Sequence, residues 1–113
     1  MHELALTQGI LRIVESEERR SHFTAVKEIR LKIGEYSGVI PECILEFFPL
    51  AAKGTPAEGA ELVLETVPAA FTCNACGAVG RPDREKACCA ACGSTEIRLT
   101  AGREFYVESL KVE

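Results

Sequence analysis

The chain has 113 residues, enough for one compact domain or a domain carrying a small metal-held lobe. Hydrophobic residues make up 47% and the formal charge is −4, from 13 basic and 17 acidic residues, which argues against a nucleic-acid binder that must meet phosphates with a basic face. No apolar run approaches the ~20 residues of a membrane span, and Met1-His2-Glu3 lacks the basic-then-apolar order of a signal peptide. A cytoplasmic protein is therefore expected, in which six cysteines point to metal or redox chemistry more than to disulfides.

In chain order, Leu6, Ile10, Ile13 and Val14 mark one face of a helix from about Leu4 to Arg19. His22, beyond its charged end, reads as a surface residue. Ile29, Leu31 and Ile33 alternate with Glu28, Arg30 and Lys32, the period-two pattern of a half-buried strand, which Gly34 and Ser37-Gly38 then break. Pro41 suits the first position of a second helix, with Ile44, Phe47, Phe48 and Ala51 as its apolar stripe. Cys43 on this helix reads as a small buried apolar residue. Pro49 should kink the helix or end it early, and Gly54 is a natural stop.

Residues 60–67 read as a second strand and 103–112 as a third. In the third, the apolar phase shifts from Phe105 and Val107 to Leu110 and Val112, so a bulge near Glu108 or Ser109 is needed to keep one buried face. Between them, Phe71 to Leu99 has little periodicity but holds five of the six cysteines. The expected fold is α+β: two helices on a three-stranded sheet, with an inserted zinc-ribbon-like lobe at 71–99 between segments 1–70 and 100–113.

The insert contains Cys73-Asn-Ala-Cys76-Gly77 and Cys89-Ala-Ala-Cys92-Gly93. Two residues between cysteines let both thiolates of a tight turn face one ion, and the following Gly accepts the backbone turn that aims N–H groups at the sulfurs. Two such turns make a closed tetrahedral four-sulfur site for zinc, structural and without an open position for substrate. Such a site supplies the stability that a short insert without its own core lacks. Cys88 is left as a spare thiol with a possible redox role. Iron, as in a rubredoxin-like electron carrier, is the rival metal, and a zinc-ribbon adaptor is the rival role. No nucleophile–His pair or phosphate loop is present, so the chain does not read as an enzyme.

At the other end, the Met1 amine, the His2 amide and imidazole, and the Glu3 amide or carboxylate can form adjoining chelate rings. A nitrogen-rich, square-planar set of this kind suits Ni(II) or Cu(II).

Met1-His2-Glu3, the passage Ile33-Gly34-Glu35-Tyr36-Ser37-Gly38-Val39-Ile40-Pro41-Glu42, the two cysteine turns ending Cys92-Gly93-Ser94, and the tail from Gly102-Arg103-Glu104 to Ser109-Leu110-Lys111-Val112-Glu113 occur in order. Together they resemble the HypA/HybF family of hydrogenase nickel-incorporation proteins along essentially the whole chain. The resemblance implies a nickel metallochaperone for [NiFe] hydrogenase, in some bacteria also serving urease. It implies nickel at His2 with Met1 and Glu3, and zinc at Cys73, Cys76, Cys89 and Cys92. A HypB-type GTPase and the hydrogenase large subunit are the implied partners. This sequence departs from some members in having Ile40 and Pro41 where they carry an acidic nickel ligand, with Glu42 nearby, in lacking a histidine in the cysteine lobe, and in placing Pro49 inside a helix. His2 is left as the one imidazole for nickel.

Overall fold

A computed structural model of the chain describes residues 3–81 and 87–113. The elements run α1 (Glu3–Ser21), β1 (Val26–Gly34), α2 (Pro41–Ala51), β2 (Glu61–Val67), β3 (Ala70–Cys73), β4 (Val79–Gly80), β5 (Ile97–Ala101) and β6 (Phe105–Val112). They form two separate three-stranded sheets, ordered β2-β1-β6 and β4-β3-β5. The molecule is correspondingly long, with extents of 54 × 25 × 17 Å.

In the first sheet, β1 is central. It pairs parallel with β2, across the α2 crossover, and antiparallel with β6. Ile29, Leu31 and Ile33 are buried on the face that packs against Ile10, Val14, Ile44 and Phe48 of the two helices. The opposite face carries Glu28, Arg30 and Lys32, and both cations pair with Glu65 of β2. Alternation along β1 thus places apolar side chains under the helices and ion pairs toward solvent.

The expected bulge is present. Arg30 faces Ser109 while Leu31 faces Val107, so Glu108 is the extra residue. It lets Phe105, Val107 and Leu110 all pack on the same core. A second register shift near Lys27 releases the strand end, so Val112 is exposed and does not join the buried face.

Other expectations shift in detail. The buried stripe of α1 is Thr7, Ile10, Leu11 and Val14, and Ile13 lies outside it at 43% exposure. Thr7 enters the core because its hydroxyl donates to the Glu3 carbonyl at 2.8 Å, which removes the cost of burying it. Helix α2 continues two residues beyond Pro49 and stops at Ala51, before Gly54. Pro49 and Leu45, whose carbonyl loses its partner, are both exposed, so water can take the vacated bond. Cys43 is half-buried rather than buried. The cysteine lobe is not irregular, because three short strands organise it. Their brevity and the absence of a continuous apolar face hid them from periodicity.

His22 is exposed and closes α1 with φ 53°, its N–H bonding to the Glu18 carbonyl at 2.7 Å. This is the left-handed C-terminal position that Gly occupies without strain. His22→Gly should raise stability by about 0.5–1 kcal/mol in a denaturant titration.

Candidate metal centre

The two sheets meet at the C-terminal end of β1. The polypeptide leaves β2 through Pro68-Ala69 and returns to β6 through Gly102-Arg103-Glu104. Both connections are pinned to β1. The Gly34 N–H donates to the Glu104 carbonyl at 2.6 Å, Glu35 N–H to Val67 at 2.8 Å and Tyr36 N–H to Gly102 at 2.6 Å. The Glu35 carboxylate accepts from the Ala69 N–H at 3.1 Å and from the Arg81 guanidinium at 2.6 Å, and so ties β1 to the far sheet. The Tyr36 and Phe71 rings meet edge to face, 6.1 Å apart. A Cβ on Gly34 would stand 2.1 Å from the Gly102 carbonyl oxygen. None of these contacts has a signature in the sequence beyond the Gly residues themselves.

Beyond this junction stand the two cysteine turns, which match bond for bond. Cys73 N–H donates to the Ala78 carbonyl at 2.9 Å, and Cys89 N–H to the Ser94 carbonyl at 2.8 Å. Gly77 and Gly93 donate back to the Cys73 and Cys89 carbonyls, each at 2.9 Å, with φ values of 77° and 78°. A side chain rarely adopts that conformation, which is why each turn ends in Gly. The N–H groups of Ala75 and Ala91 point at the Cys73 and Cys89 sulfurs at 3.3 and 3.4 Å.

This geometry brings the four sulfurs together. Cys73 Sγ lies 3.7 Å from Cys92 Sγ and Cys76 Sγ lies 3.7 Å from Cys89 Sγ, and all four lie within 4.8 Å of one another. A tetrahedral zinc with bonds of about 2.3 Å requires sulfur–sulfur edges of about 3.8 Å, so the donor set fits that ion in both chemistry and spacing. Cys88 lies outside the cluster and is buried, so it is not the accessible thiol that a redox role needs.

The electrostatics favour a cation. Backbone N–H groups of Cys76 and Ala75 hold the Cys73 thiol below its ordinary range. Those of Cys92 and Ala91 bring Cys89 down to about 6. The Ser94 N–H acts to lower Cys92 as well, but the crowding Cys76 and Cys73 sulfurs outweigh it and push Cys92 up to about 12. Four sulfurs at this spacing cannot all be thiolates unless a positive charge sits among them.

Met1 and His2 lie outside the described residues. Glu3 opens α1, and its Oε2 is buried with no hydrogen-bond partner among the described residues. Ala5 and Leu6 lie beside Phe105 and Tyr106, which pair with the last residues of β1, so this end of α1 stands at the end of the first sheet where the second sheet begins.

The family described as "Hydrogenase/urease nickel incorporation, metallochaperone, hypA" matches residues 1–112. This chain belongs to the HypA family. The hydrogenase maturation factor HypA of Acidithiobacillus ferrooxidans is 38% identical over 113 residues, all of both chains. That of Caldanaerobacter subterraneus subsp. tengcongensis is 36% identical over 114 residues, again with both chains fully covered. Two solved HypA structures share the fold. One is a solution structure with a TM-score of 0.78 at 20% identity, covering 100% of this chain and 97% of its own. The other, the Ni metallochaperone HypA of Helicobacter pylori, has a TM-score of 0.72 at 20% identity, covering 99% and 97%. Among the described residues no helix is long and apolar enough to cross a membrane.

Proposed function

We propose that this HypA-family chain carries Ni(II) as cargo for the maturation of [NiFe] hydrogenase. Nickel binds through the Met1 amine, the His2 amide and imidazole, and Glu3. Zinc is held separately and permanently by Cys73, Cys76, Cys89 and Cys92. The first sheet with its helices forms the nickel-binding domain, and the cysteine insert forms the zinc-binding domain. The chain acts in the cytoplasm as a carrier rather than a catalyst. It hands nickel to the hydrogenase large subunit with a HypB-type GTPase, which supplies the energy for transfer.

The observation that carries this reading is the family match along residues 1–112, which includes the Met1-His2-Glu3 start. The Glu3 carboxylate adds support. A buried carboxylate oxygen without a partner among the described residues costs free energy that a bound cation would offset. The four cysteines support a division of labour, since an all-sulfur shell has no open position from which to pass a metal on. Binding through a chain end keeps ligand exchange cheap, because releasing those ligands disturbs little packing.

The test is nickel calorimetry on zinc-loaded protein with a native, untagged N-terminus. His2→Ala should weaken nickel binding by more than about tenfold with zinc content unchanged. Nickel affinity equal to that of the parent protein would overturn the N-terminal site. Because a backbone amide must lose its proton, nickel affinity should also fall as pH drops.

A further inference from the structure

Among the described residues, Thr7 is the one with a polar side chain that is wholly buried, at 0% exposure. Stability alone gives little reason for it. Threonine is a poor helix former, and a hydroxyl bonded back to the carbonyl four residues earlier slightly weakens a helix. Nor does the carbonyl need the bond, because the helical pattern already gives the Glu3 carbonyl to the Thr7 N–H. The Thr7 hydroxyl donates a second bond to that same oxygen, at 2.8 Å.

This bond holds the first described residue of α1. A helix end frays unless something beyond the backbone ladder ties it down. Here the tie runs to a side chain buried in line with Ile10, Leu11 and Val14, the other buried residues of α1. The Glu3 backbone is thereby anchored to the core. Two groups of Glu3 stay uncommitted. Its N–H lies in the first turn, where a helix offers no acceptor, so it can lose its proton to a metal without breaking a helix bond. Its Oε2 is buried with no hydrogen-bond partner among the described residues.

We propose that Thr7 is a positioning residue for nickel: its hydroxyl pins the Glu3 backbone to the core and so presets the Glu3 amide and carboxylate for the metal. A ligand fixed before the metal arrives loses less freedom on binding, which raises affinity. The inference rests on the reading that nickel binds at Met1, His2 and Glu3.

Nickel calorimetry and thermal melting on the full zinc-loaded chain, untagged, test it together. Thr7→Val keeps the shape and removes the hydroxyl. Thr7→Ser keeps the hydroxyl and removes a buried methyl group. Nickel affinity should fall about fivefold in Thr7→Val, the worth of one ordinary hydrogen bond, and stay within about twofold of the parent in Thr7→Ser. Stability should run the other way, with Thr7→Val melting at or above the parent and Thr7→Ser a few degrees below it. Ile10→Val trims the buried face of the same helix without touching Glu3, and should leave nickel affinity unchanged. Parent affinity in Thr7→Val, while His2→Ala weakens binding, overturns the role of Thr7 and leaves the N-terminal site standing. Affinity unmoved by His2→Ala removes that site and the role of Thr7 with it. Affinities that follow the melting order, or an Ile10→Val loss equal to that of Thr7→Val, also overturn the proposal, because nickel would then sense only a general loosening of α1.

Discussion

Replacing Cys73 with Ser should melt the β4-β3-β5 sheet while leaving the helices and β1–β2 folded. Among the described residues from 70 to 101, the buried ones are Cys73, Cys88 and Cys89. Among these residues no aliphatic cluster holds the sheet, so a metal held by the four cysteines would do the work that a hydrophobic core does elsewhere. In zinc-finger peptides such a site is worth roughly 10–16 kcal/mol at neutral pH, far more than strands of two to five residues could supply. Hydrogen exchange should show loss of amide protection across the second sheet, with protection retained at Ile29 and Leu31. Chelation of the parent protein should give the same pattern. Acid should do so too, with a definite sign. Metal binding displaces thiol protons, so it weakens as pH falls. Cys89, at about 6, surrenders its proton easily, whereas Cys92, pushed up to about 12, loses its proton to solvent only when a metal displaces it. Full protection after zinc removal would show that the cysteines are not the clasp.

Gly34→Ala should be the most damaging single substitution outside the cysteines. The added Cβ would lie 2.1 Å from the Gly102 oxygen, 2.3 Å from its carbonyl carbon and 2.7 Å from Arg103 N. All three are backbone atoms, so no rotamer change relieves the clash. The connection cannot retreat easily, because Gly102 itself would bring a Cβ within 2.8 Å of Ala69 Cα and is fixed by bonds to Tyr36 and Glu104. Overpacking of this kind costs on the order of 3 kcal/mol or more. Urea unfolding followed by far-UV circular dichroism should show the drop in midpoint. A loss below about 1 kcal/mol would mean that the connection can move away from β1 freely.

Much of this was legible in the residues. Alternation in Glu28–Ile33 and the phase break in Phe105–Val112 gave the central strand and its bulged partner, because a one-sided core imposes period two and exposes any extra residue. The cysteine turns were legible because metal geometry restricts spacing so tightly. Ile13 misled because a helical stripe from sequence is broad, and the side that packs depends on where α2 sits. The short strands β3, β4 and β5 carry too few residues to establish a period. Gly34 could be seen only as a breaker, since the close approach of Gly102 comes from residues distant in sequence. The Glu35–Arg81 tie is of the same kind: its charges are ordinary until the sheets meet.

The position of the cysteine sheet between β2 and β6 bears on how the protein comes together after synthesis. Strand β6 must find β1 across residues 68–104, all of which are a loose tether until the second sheet forms. Closing a tether costs more as it lengthens, about 0.6 kcal/mol per doubling. Once zinc has gathered the insert, the effective tether shrinks to the short passages at Ala69 and Gly102, which lowers that cost by about 1–2 kcal/mol. Refolding with zinc present should therefore complete the first sheet faster than refolding without it, so metal supply sets the pace at which even the distant helical half reaches its final packing.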